Sequence, residues 1–141
     1  VGWDRLINIY IDDPDESEAT PSKVLNGKGN TVHKGHEGDI CTVAFHEPNW
    51  LATGSVDGCI LLWNLEGGTI RFALRDPSLP LFKHEEKPVE KVLFFTDPKF
   101  KQLSLLSCHA DGSIRFWDLN NPGLITDVRI HSLIKDQFTI I

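Results

Sequence analysis

An aspartate recurs at positions 4, 57 and 111, each followed three residues later by isoleucine and six residues later by Tyr10, Trp63 or Trp117. The spacings of 53 and 54 residues are close enough to equal to make the chain a repeat, and residues 1–10, 54–63 and 108–117 align without a gap. A repeat of this length is one supersecondary unit that cannot bury its apolar face alone, so neighbouring units must stack.

The local pattern within each unit is strand, tight turn, strand. In the middle copy, residues 50–55 are short, apolar and β-prone, and Val56-Asp57-Gly58 supplies a hairpin turn. A two-residue turn demands φ > 0, which Gly58 adopts without steric cost. Residues 59–63 continue as a buried strand. Upstream, Ile40, Val43 and Phe45 mark another strand closed by Glu47-Pro48-Asn49, and downstream Gly67-Gly68 turns the chain into residues 69–72. The last copy repeats the order. Its first strand holds Val89, Val92, Phe94 and Phe95, followed by strands at 103–108, 113–117 and 126–130. The first copy holds only the end of its second strand and the later elements. No stretch shows a capped 3.6-residue apolar period, so helix content should be near zero.

Here the residues resemble WD repeats, the blades of β-propellers. The middle copy carries Gly35-His36, then residues 51–58, then Leu62-Trp63-Asn64-Leu65. The last carries Ala110-Asp111-Gly112 and Phe116-Trp117-Asp118-Leu119, with the Trp-Asp dipeptide itself. The resemblance implies an all-β fold: four-stranded antiparallel blades of a WD-repeat β-propeller, as an incomplete ring of two to three blades. The expected organisation is the end of one blade plus an acidic loop (1–35), a complete blade (36–74), a connecting loop (75–88), a second complete blade (89–131) and a link toward the next blade (132–141). The repeats exceed the usual 40–45 residues, and the excess falls in two stretches rich in Pro, Gly and charge that read as long loops. With Val at position 1, no methionine and fewer than the four to eight blades of a ring, the chain is expected to be an excerpt whose partners include remaining blades of the same polypeptide.

In such repeats a His, an Asp, a Ser or Thr and a Trp form a buried hydrogen-bonded set. Carried onto this chain, these are His36, Asp57, Ser55 and Trp63, with Asp111 and Trp117 in the last copy. A buried carboxylate is costly unless paired, and an imidazole, a hydroxyl and an indole N–H can satisfy one another. The role is structural. In the last copy His109 stands where Ser55 stands and Glu85 falls where His36 would, so the full set is expected in the middle blade only. Residues 1–10, followed by an acidic loop, are similar to blades of large WD-repeat proteins that carry an EF-hand and are associated with motile cilia and sperm.

Other residue groups could in principle carry chemistry. His36, Asp57 and Ser55 name the members of a hydrolase triad, but a nucleophile needs exposure and an oxyanion hole, and Ser55 lies inside a strand. The expectation is no enzyme and no cofactor. His33, His36 and His46 lack the further ligands of a zinc site. The acidic run 12–18, started as a calcium loop at Asp13, has Glu18 and Val24 where Gly and Glu are needed. Gly27-Lys28-Gly29 lacks the following helix and Lys-Ser/Thr pair of a phosphate cradle. Cys41, Cys59 and Cys108 form neither a disulfide framework nor a C-x-x-C pair and read as reduced thiols of an intracellular, cytoplasmic protein, with a cilium or flagellum as the alternative.

What remains is surface. A net charge of −6 excludes nucleic acid and anionic membrane as default partners, and no apolar run approaches the roughly 18 residues of a membrane-spanning helix. In similar WD-repeat proteins, contacts concentrate at the residue before the turn Asp and at two positions early in the first strand. On this chain those are Trp3, Val56 and Ala110, then Asp39 and Cys41, then Pro88 and Glu90. The expected function is a non-enzymatic scaffold binding other proteins through the propeller face. The alternative is a permanent structural component of an axonemal assembly.

Overall fold

A run such as Ile60-Leu61-Leu62-Trp63 offers no polar face, so as a strand it must be covered on both sides. The computed structural model describes residues 3–10, 23–26, 35–75, 87–96, 98–99, 101–119 and the backbone of 123–129. Among these there is no helix. The strands are β1 (Ile7–Ile9), β2 (Lys23–Leu25), β3 (Ile40–His46), β4 (Trp50–Ser55), β5 (Ile60–Asn64), β6 (Thr69–Leu74), β7 (Val89–Thr96), β8 (Leu103–His109), β9 (Ser113–Asp118) and β10 (Gly123–Arg129). They form two antiparallel four-stranded sheets, β3-β4-β5-β6 and β7-β8-β9-β10, and a two-stranded sheet, β1-β2. Among the described residues the sheets do not close into a ring. The acidic run 12–18, His33 and the link 132–141 lie outside the described residues.

The middle sheet is the filling of a sandwich. On one side Ala52, Ile60, Leu62 and Leu74 pack against Val89, Val92, Leu105, Trp117 and Leu119 of the later sheet. On the other side Ile40, Leu51, Leu61, Trp63 and Ile70 pack against Ile7 and Leu25. Burial of each such side chain contributes about 1.5–3 kcal/mol, so β5, buried at four successive residues, is a main source of cohesion. β9 alternates between buried and half-buried residues, so one of its faces is covered more fully than the other.

Polar bonds fix the stacking register. The Thr42 hydroxyl of β3 accepts the Val92 N–H of β7 at 3.3 Å. A Cβ placed on Gly54 would lie 2.5 Å from Val89 Cγ1, so only glycine lets these sheets approach. Across the other boundary Lys23 Nζ donates to the carbonyls of Leu65 and Glu66 at 2.8 and 3.0 Å, fastening β2 to the β5–β6 turn.

The hairpin between β4 and β5 is longer than the two-residue turn expected. Gly58 N–H closes a turn on Ser55 C=O at 3.1 Å, and Ser55 N–H reaches Cys59 C=O at 3.2 Å, leaving a three-residue loop. Gly58 takes the positive φ of 81° that such a loop requires after its type I turn. Asp57 sets the length, because its Oδ1 accepts the Cys59 N–H at 2.8 Å. Gly112 and Asp111 build the same turn between β8 and β9.

Candidate protein-interaction surface

Two buried hydrogen-bond sets hold the turn ends of the sheets. In the middle sheet the Trp63 indole N–H donates to Thr53 Oγ1 at 2.9 Å, and His36 Nε2 lies 2.7 Å from the same hydroxyl. The hydroxyl in this set is therefore Thr53, not Ser55, and the expectation is corrected. Leu51, Thr53 and Ser55 share one face of β4, so alternation does not choose between them. Reach does. Trp63 pairs with Leu51, and its indole spans to the diagonal neighbour Thr53, whereas Ser55 is about 13 Å along the strand from Leu51. Ser55 is fully buried, and its Oγ accepts the Asp57 N–H at 3.3 Å, so it is no exposed nucleophile.

His36 Nδ1 faces Asp57 Oδ2 at 3.9 Å, too long for a hydrogen bond but close enough for attraction. If the Thr53 O–H is to be satisfied it donates to Nε2, which puts the ring proton on Nδ1, toward the carboxylate. Burial alone would raise the Asp57 carboxyl. The His36 ring and the N–H groups of Cys59 and Glu37 outweigh it and hold the pKa down at about 2.

The later sheet builds its set from other positions. Trp117 N–H donates to Ser107 Oγ at 2.9 Å, and Ser107 Oγ is 2.8 Å from His109 Nε2. His109 Nδ1 lies 3.3 Å from Lys87 C=O, so Nδ1 carries the proton and Nε2 accepts from Ser107. The full set, with its aspartate, is the expectation for the middle blade only; here a partial set of Trp, hydroxyl and imidazole exists as well. Residues two apart on a strand share a face, so His109 supplies from β8 itself the ring that His36 supplies from a preceding segment. Asp111 Oδ1 accepts the Ser113 N–H at 2.9 Å and its hydroxyl at 2.6 Å.

Thr53 and Ser107 escape a reading of the sequence by alternation, although both sit ten residues before the tryptophan they bind. That equal spacing is the available signal.

These sets support two equivalent corners. Val56 N–H donates to Asp39 C=O at 3.0 Å, and Ala110 N–H donates to Pro88 C=O at 2.9 Å. Each bond ties a hairpin to the residue just before an edge strand. Six of the seven surface residues expected from the sequence are thus brought together in two triplets, Asp39-Cys41-Val56 and Pro88-Glu90-Ala110. Cys41, Val56, Glu90 and Ala110 are exposed, while Asp39 and Pro88 are half-buried. Trp3, the seventh, is 88% exposed at the corresponding turn before β1. Burial, then the charges of Asp39, Asp57 and Glu90, push the Cys41 thiol pKa up. Burial and Glu90 do the same to Cys108, so Glu90 of β7 sits electrostatically between the two sheets.

The family model of the WD domain, G-beta repeat, matches residues 27–64 and 77–118, more than half of the chain. The chain belongs to the WD-repeat family. It is also similar to the target of rapamycin complex subunit wat1 of Schizosaccharomyces pombe, 33% identical over 105 residues, which cover 74% of this chain and 28% of that protein. The chain thus spans well under a third of the length of this curated relative. Neither comparison supports the ciliary resemblance. As WD blades, β3–β6 and β7–β10 place β3 and β7 side by side, with β7 packed on β3 and β4. Both corners then open at the same end of adjacent blades. WD-repeat proteins are in general interaction scaffolds, and the structural sets fit that role by fixing turns rather than presenting reactive groups.

Proposed function

We propose that this chain contributes blades to a larger WD-repeat ring that works as a non-enzymatic scaffold, and that it binds other proteins at the two corners and Trp3. The observation that carries the reading is the repeated corner. Backbone bonds from Val56 to Asp39 and from Ala110 to Pro88 hold exposed side chains in matching places on neighbouring blades. A surface held in this way loses little conformational freedom when a partner docks, which favours affinity. Trp3 supplies the large exposed aromatic that dominates many interfaces. The similarity to a complex subunit supports the coarse role of membership in a multiprotein assembly. A net charge of −6 disfavours nucleic acid and anionic membrane, and three free thiols suit a reducing intracellular compartment.

The test is affinity capture from native tissue with the full parent protein beside a Trp3→Ala, Asp39→Arg version. Selective loss of partners from the double variant is the expected result. If every partner persists, binding lies elsewhere and the corners are only architecture.

A further inference from the structure

We propose that Arg5 is a specificity-determining residue of the interaction face: it seats a carboxylate of the partner and turns away partners that are merely basic. The proposal rests on the reading of Trp3 and the corners as a binding surface, and it states the charge pattern of what docks there.

Three turns of the chain match in sequence and in bonding. Asp4 Oδ1 accepts the Leu6 N–H at 3.0 Å, as Asp57 Oδ1 accepts that of Cys59 at 2.8 Å and Asp111 Oδ1 that of Ser113 at 2.9 Å. The residue after each aspartate takes a positive φ, 61° at Arg5, 81° at Gly58 and 83° at Gly112. Glycine enters this region freely, whereas a side chain crowds the following carbonyl there. The first turn therefore carries a strain that its two counterparts avoid. Glycine would serve the turn equally well, so what the strain secures is the side chain.

That side chain crosses the blade boundary. Arg5 Nη1 donates to the Glu37 carbonyl at 3.5 Å, an exposed bond at the long limit of useful geometry and too weak to offset the strain. Among the described residues the guanidinium makes no ion pair. Arg5 is exposed, so its other N–H donors are open to a partner, and Trp3, 88% exposed, stands two residues before it.

The charge around Arg5 is negative. Glu37 is exposed, and Asp39 follows it by at most about 7 Å of backbone. Asp39, Asp57 and Glu90 all act on the Cys41 thiol, so their carboxylates gather at the same corner. These distances are within about one Debye length at physiological salt, so one docked segment feels the guanidinium and the carboxylates together. A uniformly acidic segment is repelled by the corner, and a uniformly basic one meets Arg5. The face fits an extended segment with one Asp or Glu flanked by Lys or Arg, beside an apolar side chain for Trp3. The guanidinium can hold that carboxylate through two parallel N–H bonds.

The probes are three short synthetic peptides, each with a leucine and flanking lysines, that differ only in a central Glu, Gln or Lys. Calorimetric titration into the full parent protein at low ionic strength gives their affinities. The Glu peptide should bind about fivefold tighter than the Lys peptide, the scale of an exposed ion pair. Arg5→Gly should reverse that order while leaving the thermal midpoint unchanged or raised, and Arg5→Lys should keep the order with a smaller margin. An order unchanged by Arg5→Gly overturns the proposal. A lower midpoint in Arg5→Gly also overturns it, because Arg5 would then be a clamp on Glu37. So does failure of all three peptides to bind. None of these failures reaches the corner reading, which is tested separately by partner loss in the Trp3→Ala, Asp39→Arg version.

Discussion

Replacing Thr53 by valine keeps the shape of the side chain and deletes only its hydroxyl. That hydroxyl meets Trp63 Nε1 at 2.9 Å and His36 Nε2 at 2.7 Å, and all three residues are buried. Water cannot replace it, so two polar atoms lose their partner, each at about 1–3 kcal/mol. The expected cost is about 2–6 kcal/mol, a large share of the roughly 5–15 kcal/mol that holds a typical domain. Ser55→Ala removes one bond, the Asp57 N–H to Ser55 Oγ at 3.3 Å, and should cost about 0.5–1.5 kcal/mol. Thr53→Ser keeps the hydroxyl and loses a methyl, for about 1 kcal/mol. Urea unfolding monitored by tryptophan fluorescence gives the three values, and exchange of the Trp63 indole proton should quicken in Thr53→Val alone. If Ser55→Ala costs as much as Thr53→Val, the assignment of the hydroxyl is wrong.

The same geometry sets three further outcomes. Asp57 has a folded pKa of about 2 against 3.8 for the free side chain, so its contribution is present above pH 4 and drains away as pH falls through 2; acid titration of Asp57→Asn should lack that component. Gly54→Ala should destabilise the chain by about 1–3 kcal/mol through its collision with Val89, and adding Val89→Ala should recover part of the loss in a double-mutant cycle; simple additivity would mean the contact does not matter. Cys41 is exposed yet its thiol pKa is raised, so iodoacetamide at pH 8 should modify it more slowly than free cysteine, and Glu90→Gln should speed the reaction; an unchanged rate in that variant would remove Glu90 from the account.

The strands are legible because the repeat supplies its own alignment. The expected third strand of the last copy, 113–117, is β9 but for one residue, and the apolar run at 59–63 becomes β5 because it is covered on both flanks. Turn chemistry is legible in kind rather than length. Asp57 and Gly58 signal a hairpin, but the three-residue loop depends on a carboxylate turning back to the Cys59 N–H. The buried hydroxyl is not legible from alternation, since Thr53 and Ser55 both face Trp63's side of the sheet. A cross-strand diagonal decides between them, and diagonals depend on register, which a sequence does not print.

His109 shows how one burial problem can be solved from two directions, and why the difference reaches the surface. Each blade tryptophan sends its N–H to a hydroxyl, and each hydroxyl needs an imidazole. In the middle blade that ring belongs to His36, so the set ties the segment before β3 to the sheet, and Asp57 completes the tie through Glu37 N–H at 3.1 Å. In the later blade the ring belongs to β8, and it is the second nitrogen of His109 that reaches outward, to Lys87 C=O. Lys87 precedes Pro88, whose carbonyl holds Ala110. The corner at Asp39 is therefore positioned by a histidine from the segment leading into β3, and the corner at Pro88 by a histidine from inside the sheet. The two corners have matching backbone bonds but different supports, so a change in the segment before β3 should disturb the first corner while leaving the second in place.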